Sequence, residues 1–394
     1  MKGYILLVLI GIIALGSCTK NKHEAGLVQS PDHLDLTITS QLDNMANGFS
    51  DIFNEGTFIP IDLGESLYLA SLDELELDDD KWIILDRKSS QLLVCNNSGR
   101  LIKKIGELGS GPGEFQGLND FFIDKGEKEL IAFSNSDMSF YCFSLENGDF
   151  IKRVKLGMYG DKIEQVDKDS YLLYLNHNLS DKSGEFNLVL IDKKGQIRDK
   201  FFPIDPQKSN MVIPFSGFLT KSNGELLFSS PFSNEVFQFD GESRSFQKSI
   251  SMNINSDYME ENKADFQKIV NANVLVHDKS VRFLGETFMK NNDFILFNYQ
   301  YKSQRRFGLY SVKEESLKSF SKSLNDPLFK LLEKPLYLDE ENFVYFGISS
   351  DQIAYLRTKS PDLYQLLNSE TRQMFEENRE QISHYVLKTK IKDR

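Results

Sequence analysis

Cysteine, histidine and tryptophan are scarce in this chain, which has three, five and one of them among its 394 residues. Because only Cys95 and Cys142 lie beyond the N-terminal region, a disulfide-rich fold is excluded, and we expect both to be buried free thiols. The histidines are scattered along the chain, at His23, His33, His177, His277 and His384. No two of them are spaced as HxxxH, so the chain lacks a local zinc motif of that kind.

Basic residues are also outnumbered by acidic ones. Lysine and arginine number 46 against 58 aspartate and glutamate residues, and the formal net charge of −12 is spread along the chain. Nucleic-acid binding needs a concentrated basic surface, so this composition argues against it. Phenylalanine and tyrosine, by contrast, are abundant, at 31 and 15 residues. Together with many Ile, Leu and Val residues they favour β-strands.

Long hydrophobic runs are absent except at the N-terminus. Ile5–Leu15 follows a positively charged start and is shorter than the roughly 20 residues that cross a bilayer, as is typical of a secretory signal peptide, here over residues 1–17. The Leu-Gly-Ser-Cys sequence at its end resembles a bacterial lipobox, in which the cysteine thiol receives a diacylglycerol. We therefore predict lipidation of Cys18, with an ordinary signal peptide as the alternative. Residues 18–48 are polar and without strand or helix period, which predicts a flexible tether.

From residue 49 onwards, a unit of short apolar runs and polar turns recurs. The clearest copy comprises Lys81–Asp86, Gln91–Asn96, an Asn-Ser-Gly turn and Leu101–Ile105. Corresponding runs begin near residues 82, 130, 171, 226, 294 and 343. A repeat of about 40–50 residues with four strands is the signature of a β-propeller blade. The sequence therefore predicts an all-β fold, a six-bladed β-propeller over residues 49–394. A β-sandwich is the alternative, but it rarely exceeds about 250 residues in one domain.

Two segments depart from the repeat, and both have apolar residues at helical spacing. They predict helical insertions near residues 256–272 and 350–381, the longer one in the last blade. Pro361 is expected to begin the second helix of the longer insertion, where its missing N–H costs nothing. The last blade then lacks an outermost strand. We predict that Phe58–Leu63 supplies it by pairing with His384–Ile391, which closes the ring with both chain ends.

A glycine-rich loop follows the first repeat and contains Gly106, Gly109, Gly111, Pro112 and Gly113. A phosphate-binding loop needs a helix directly after it, whereas a strand is predicted here. We therefore interpret this segment as a structural loop, whose glycines permit a tight crossing from one blade to the next. The sequences Gly-Lys-Ser/Thr and Gly-x-Ser-x-Gly, which mark phosphate loops and serine hydrolases, are absent from the chain.

This loop, the lipobox at Cys18, the opening strand at Ile59-Pro60-Ile61 and the strand-ending Asp86 resemble one known group of proteins. They are similar to the six-bladed β-propeller lipoproteins of Gram-negative gut-type bacteria, relatives of the NHL-repeat propellers. The resemblance extends over roughly residues 56–391 and implies a propeller fold and a cell-envelope setting. Because that family has no generally assigned activity, the resemblance implies no catalytic residue.

These observations predict a monomeric binding or scaffolding module for a protein or glycan ligand, anchored to the outer membrane by the lipid on Cys18. The periplasmic side is expected rather than the cell surface, because no acidic cluster follows Cys18. The alternative is a propeller enzyme of the lactonase, lyase or glycosidase type, with a metal-dependent site in the central channel. Asn176, His177 and Asp293 are the channel candidates, and calcium is a metal that channel carboxylates would suit. The sequence indicates no other cofactor and assigns no catalytic residue.

Overall fold

A computed structural model of the chain describes residues 29–37, 45–204, 217–231, 233–253, 282–301, 304–378 and 381–392. The lipobox at Cys18 and the helix predicted near residues 256–272 lie outside the described residues. Within them, strands dominate and the helices are short.

In the described part of the chain, six sheets of four antiparallel strands form the blades of a β-propeller, as predicted. From the channel outwards, blade 1 consists of Glu74–Asp78, Lys81–Asp86, Gln91–Asn96 and Leu101–Ile105, blade 2 of Asp120–Asp124, Glu129–Ser134, Ser139–Ser144 and Phe150–Lys155, and blade 3 of Lys162–Asp167, Ser170–Tyr174, Phe186–Asp192 and Ile197–Pro203. Blade 4 consists of Phe218–Ser222, Glu225–Ser229, Glu235–Asp240 and Ser245–Asn253, blade 5 of Arg282–Lys290, Phe294–Tyr301, Gln304–Ser311 and Ser316–Phe320, and blade 6 of Pro335–Leu338, Phe343–Ser349, His384–Lys390 and Thr57–Pro60. A short parallel pair, Glu107–Leu108 with Glu114–Phe115, lies between blades 1 and 2 along the chain.

The inner strands are buried on both faces, because each blade packs against two neighbours. In blade 1, Lys81–Asp86 and Gln91–Asn96 are almost wholly buried. Ile83 belongs to the core shared with blade 2, and its neighbour Ile84 to the core shared with blade 6. Strands of this kind read as continuous apolar runs rather than as alternating patterns, which is the form that the repeat takes in the sequence.

Both ends of the chain close the ring in blade 6. Thr57–Pro60 pairs antiparallel with His384–Lys390, with Phe58 opposite Leu387. This register confirms the predicted closure. Pro60 lies on the outermost strand. In the described part of the chain no further strand pairs with its outer edge, so the N–H that proline lacks costs no hydrogen bond there.

Three helices interrupt blade 6 between its second and third strands, at Ser350–Lys359, Pro361–Gln365 and Ser369–Glu377. Pro361 begins the second of them, as predicted. The sequence pattern predicted one helix after Pro361, but the Asn368 side chain accepts the N–H of Thr371 at 2.7 Å and caps a new helix there. A further helix, Pro327–Leu331, precedes blade 6, and Phe49–Asp51 forms a 3-10 turn. None of the described helices is long and apolar enough to span a membrane.

Gln29–Thr37 forms an additional strand on blade 4, parallel to the outermost strand Ser245–Asn253. This strand differs from the flexible tether predicted for residues 18–48. The outer strand of a blade presents unpaired backbone groups, and the N-terminal segment pairs with them. Leu36 is 5% exposed and lies opposite Met252 in the same core. Leu34 and Leu36 alternate with polar residues, and both leucines pack on the blade 4 core. The prediction of a tether over residues 18–48 missed this short strand period.

Cys95 and Cys142 are buried free thiols in the third strands of blades 1 and 2, as predicted. Burial raises the pKa of each thiol to about 12. Neither thiol therefore ionises near neutral pH, and both behave as small apolar side chains.

Candidate functional site

The first strands of all six blades surround a central channel, which contains a cavity of about 180 Å³. These strands begin at the same end of the channel, because residues at their starts contact each other across blades. We call this end the entrance and the opposite end the far end. In an antiparallel blade, the turn between the first and second strands then lies at the far end, and the loop between the second and third strands lies at the entrance.

Charged side chains from three blades meet at the entrance. Lys162 of blade 3 donates hydrogen bonds to Glu74 of blade 1 and to Asp120 of blade 2, the latter with Nζ and Oδ1 2.9 Å apart. Glu74 also accepts a hydrogen bond from the guanidinium group of Arg87. The Nε of Arg87 donates to the backbone oxygen of Asn119 at 2.6 Å. We call Glu74, Arg87, Asp120 and Lys162 the entrance cluster.

Burial perturbs the ionisation of this cluster. Asp120 is 4% exposed, and its Oδ2 accepts the N–H of Ile163 at 2.6 Å. Burial raises the pKa of Asp120 well above its usual range, although the positive charge of Arg87 opposes the shift. Burial also lowers the pKa of Lys162 to about 7, and the positive charge of Lys334 acts in the same direction. Binding of a charged molecule at the entrance would therefore change the protonation of Asp120 and Lys162.

Two glutamates lie further into the channel. Glu76 follows Glu74 by two residues and Glu164 follows Lys162 by two residues, so each points towards the channel like its predecessor. Burial raises the pKa of Glu76 to about 8, and the negative charge of Glu164 adds to the shift. Burial raises the pKa of Glu164 to about 7, against the attraction of Lys221. Each carboxyl group can thus hold or release a proton near neutral pH.

Blades 4 and 5 give the channel an apolar wall. Phe218 and Phe288 stack with ring centroids 4.9 Å apart and an interplanar angle of 13°, and Leu219 also lines the channel. The pairing of the first strand of blade 5 is irregular between Leu284 and Phe288, and Glu286 of this bulge lines the channel. Bulges often re-aim side chains beside functional sites. The channel therefore combines a charged side and an apolar side, a combination typical of small-molecule sites.

A buried carboxylate fixes the segment that leads to Glu74. Asp86 is fully buried and accepts hydrogen bonds from the backbone N–H of Ala70 at 2.7 Å and from the hydroxyl of Ser71 at 2.8 Å. Burial opposes the ionisation of Asp86, but the hydrogen bonds from Ser89, Ala70 and Ser71 together outweigh it and lower the pKa of the carboxyl group. The ionised Asp86 thus holds the approach to the first strand of blade 1 in place.

Asn176 and His177, two of the predicted channel residues, lie in the loop between the second and third strands of blade 3, at the entrance end. Both have positive φ angles, 46° and 64°. Asn176 accepts a hydrogen bond from the hydroxyl of Tyr174 at 2.9 Å and donates one to Asp161, a channel residue, at 3.4 Å. The N–H of His177 donates to the side chain of Asn187 at 2.9 Å. Asn176 therefore supports the channel wall from behind, and neither residue lines the cavity.

Asp293, the third channel candidate, lies at the far end, in the turn between the first two strands of blade 5. Its carboxylate accepts a hydrogen bond from the side chain of Asn342 at 2.8 Å, which links this turn to the equivalent turn of blade 6. Asp293 lines a separate surface cavity with Lys313 and Lys318. Asp293 precedes the second strand of its blade, whereas Asn176 follows the equivalent strand of blade 3. The repeat in the sequence therefore already implies opposite ends of the channel, and the prediction of both as channel candidates did not use this.

The glycine-rich loop crosses from blade 1 to blade 2. Gly106 and Gly113 have positive φ angles, 66° and 77°, and a Cβ atom on Gly113 would lie 2.9 Å from the side chain of Phe150. The N–H of Gly111 donates to the carboxylate of Glu114 at 2.8 Å. A side chain of the loop itself thus occupies the position that an anion would need in a phosphate-binding loop.

The acidic residues of the channel form no evident metal centre. Within the described residues, no three His, Cys, Asp or Glu side chains are grouped so that they could hold a metal ion. At the entrance, Lys162 and Arg87 instead neutralise the carboxylates of Glu74 and Asp120.

Sequence reasoning missed the entrance cluster, although a signal for it exists. Charged residues open or directly precede the first strands of four blades, at Asp73-Glu74, Asp120, Asp161-Lys162 and Lys334. A charged residue at the start of a buried strand contributes nothing to the apolar core. Its recurrence at the same position in several blades indicates that these side chains meet around the channel.

The fold and channel define a six-bladed β-propeller with a charged entrance. The chain belongs to a family described as a domain of unknown function, DUF4934, which matches residues 36–380. No curated protein matches the sequence. A solved structure of a Bacteroides fragilis protein, named as an exported protein, has a TM-score of 0.74 at 16% identity and covers 91% of this chain and 99% of its own. A member of the DUF4221 family from Bacteroides vulgatus has a TM-score of 0.53 at 9% identity, covering 87% of this chain and 98% of its own. At these identities the similarity shows the fold alone.

Proposed function

We propose that this protein is a binding module of the cell envelope that binds a glycan or protein ligand over the channel entrance. The observation that carries this proposal is the entrance cluster, in which four ionisable side chains from three blades meet, with Asp120 almost wholly buried and the other three 20–34% exposed. Removing charges from water costs on the order of several kcal/mol per ion, and apolar side chains of similar volume would stabilise a fold as well. The stability of the fold therefore does not require these ionisable side chains, whereas the binding of a ligand would. A rigid ring that carries loops is also a suitable platform for binding.

We further propose that the module is a monomer held on the periplasmic side of the outer membrane by a lipid on Cys18. The lipobox-like sequence before Cys18 supports this location. So does the name of the Bacteroides fragilis protein with the same fold, an exported protein. A single acyl chain binds membranes only marginally, so the several chains of a mature bacterial lipoprotein would be needed for stable anchoring.

Thermal stabilisation by a panel of neutral oligosaccharides, acidic oligosaccharides and peptides tests the binding proposal. The double variant Glu74→Gln, Lys162→Met removes one charge of each sign, so the net charge of the cluster is unchanged. Because Asp120 and Arg87 lose these ion-pair partners, melting without any ligand first checks that the variant is folded. The matched control, Lys104→Met with Glu107→Gln, removes an ion pair of 2.7 Å beside the outer strand of blade 1.

We expect at least one compound of the panel to raise the Tm of the wild type and of the control, but not that of the entrance variant. If the entrance variant keeps the same shift, the ligand binds elsewhere on the propeller. If no compound shifts the wild type, the binding proposal fails for these ligand classes.

An enzymatic role is the second candidate, and the two inner glutamates favour it. Burial gives Glu76 and Glu164 pKa values of about 8 and about 7, close to the pH at which a general acid or base works best. The reactions to assay are hydrolysis of lactones and glycosides and elimination by a lyase. If the channel is catalytic, Glu76→Gln or Glu164→Gln should lower turnover by about 10²–10⁴-fold, while Glu107→Gln should leave it unchanged.

A further inference from the structure

A second cavity lies at the entrance end, at the seam between blades 5 and 6. Its volume is about 460 Å³, within the range of roughly 300–1,000 Å³ that is usual for small-molecule sites. Arg305 comes from the third strand of blade 5, Lys322 follows the fourth strand, and Glu333 precedes the first strand of blade 6. We call this cavity the seam pocket.

Two positive charges line the seam pocket with only one carboxylate among its lining residues. Glu333 is the carboxylate, and its Oε1 accepts a hydrogen bond from the hydroxyl of Ser349 at 2.6 Å. No carboxylate of the described residues lies within 4.0 Å of the ammonium group of Lys322. Burial lowers the pKa of Lys322 against the attraction of Glu333, and the positive charge of Arg305 adds to the lowering. Within the lining the two cations outnumber the one carboxylate, although Arg305 also faces Glu286 outside the pocket, and cations in a cavity wall attract anions.

The seam pocket adjoins the channel entrance. The guanidinium group of Arg305 lies 3.5 Å from the carboxylate of Glu286, which lines the channel. Lys334 follows Glu333 directly and also lines the channel. A ligand in the seam pocket would therefore lie beside the charged side chains of the channel, and one molecule could contact both.

Hydroxyl groups lie next to the two cations. Ser321 and Ser323 line the same pocket, and their Oγ atoms are 2.5 Å apart. An arginine fork suits a carboxylate or sulfate group, and serine hydroxyls both donate and accept hydrogen bonds. The pocket thus offers a place for an anionic group and, next to it, partners for neutral hydroxyl groups.

We propose that the seam pocket binds the anionic group of an acidic sugar, with Arg305 and Lys322 contacting the charge and Ser321 and Ser323 contacting neighbouring hydroxyls. This inference rests on the proposed binding function and specifies its ligand class. Carboxylated and sulfated sugars share the chemistry that the pocket recognises, and the experiment separates them by using one probe of each kind.

Calorimetric titration of the full chain with glucuronate, glucose 6-sulfate and glucose tests the proposal. We expect one or both acidic sugars to bind and glucose, which lacks the charge, to bind at least tenfold more weakly. Arg305→Gln and Lys322→Gln should each weaken binding of the acidic sugar at least tenfold. The control Lys168→Gln removes an equal charge from a side chain that is 86% exposed, and it should bind like the wild type.

The outcomes separate this inference from the proposed function. If neither acidic sugar binds the wild type, or if Arg305→Gln and Lys322→Gln bind as tightly as Lys168→Gln, the seam pocket is not the anion site. The binding proposal then still stands or fails on the entrance variant Glu74→Gln, Lys162→Met. Thermal melting of each variant shows that it is folded, so a loss of binding cannot be mistaken for unfolding.

Discussion

Replacing Phe53 by alanine should destabilise the whole propeller, although Phe53 precedes the first strand of the ring. The side chain is 1% exposed and lies in the core between blades 5 and 6. Its ring meets Phe320 of blade 5 edge-on at 5.5 Å and Phe346 of blade 6 edge-on at 5.5 Å. The backbone beside it forms a bridge with Ile391 at the other end of the chain. Phe53 thus joins two blades and both chain ends.

The expected loss follows from this burial. Truncation of a buried phenylalanine to alanine costs about 3–5 kcal/mol, which includes the cavity that it leaves. Phe53 is 1% exposed and packs against three aromatic rings, so we expect about 4 kcal/mol, the middle of this range. Domains are typically stable by about 5–15 kcal/mol, so this change would be a large part of the total.

Guanidinium unfolding followed by tryptophan fluorescence measures the effect. Trp82 is the single tryptophan; it is 4% exposed and lies edge-on to Tyr345 of blade 6, with ring centroids 6.0 Å apart. Its emission therefore reports on the contact between blades 1 and 6. Tyr68→Ala is the control, because that ring is 68% exposed and its removal should change stability by no more than about 0.5 kcal/mol. A loss below about 1 kcal/mol for Phe53→Ala would refute the role of this segment in closure.

Four further predictions concern other parts of the chain. A chain that begins at residue 38 should melt about 2 °C or more below one that begins at residue 29, because it lacks the strand Gln29–Thr37 on blade 4; equal melting temperatures would show that this strand adds no stability. Because burial raises the pKa of Glu76 to about 8, the wild type loses stability as the pH rises from about 4.5 towards 8. Urea unfolding should therefore find Glu76→Gln more stable than the wild type at pH 8 and the two converging near pH 5, whereas a difference independent of pH would contradict the shift. Cys95 and Cys142 should react with iodoacetamide only after denaturation, without prior reduction, and a mass two units lower would reveal a disulfide instead. Cys18→Ala should release the protein from the membrane fraction, and an unmodified, soluble wild type would argue against lipidation.

The fold could be predicted from the sequence because its determinants are local. In the sequence, each blade consists of apolar runs separated by turns. The runs are continuous, as in Lys81–Asp86, because the second and third strands are buried on both faces. Ring closure also followed from local evidence, because Phe58–Leu63 has strand character and the last blade lacked a strand. The strand Gln29–Thr37 has only a short local signal, the alternation of Leu34 and Leu36 with polar residues, and its partner, the open edge of a blade, lies more than two hundred residues away.

The candidate site was harder to predict because it is not local. Glu74, Asp120 and Lys162 come from three blades, and only the ring brings them together. Asn176 and Asp293 both lie near strand ends, yet the structure places one at the entrance end and the other at the far end. Equivalent strands have the same direction in every blade, so a residue before such a strand and one after it lie at opposite ends. What the sequence pattern does not supply is which end carries the cavity.

Hydrogen–deuterium exchange of the full chain tests the central claim that the entrance is the binding surface. The measurement compares the free protein with the protein saturated by whichever panel compound raises its Tm most. We predict slower exchange in segments 73–76, 119–122, 161–164 and 333–336, which carry the starts of the first strands, and no change in the far-end turns at residues 79–80, 291–293 and 339–342. Protection at the far-end turns or along the outer strands, with none at the entrance, would contradict the account.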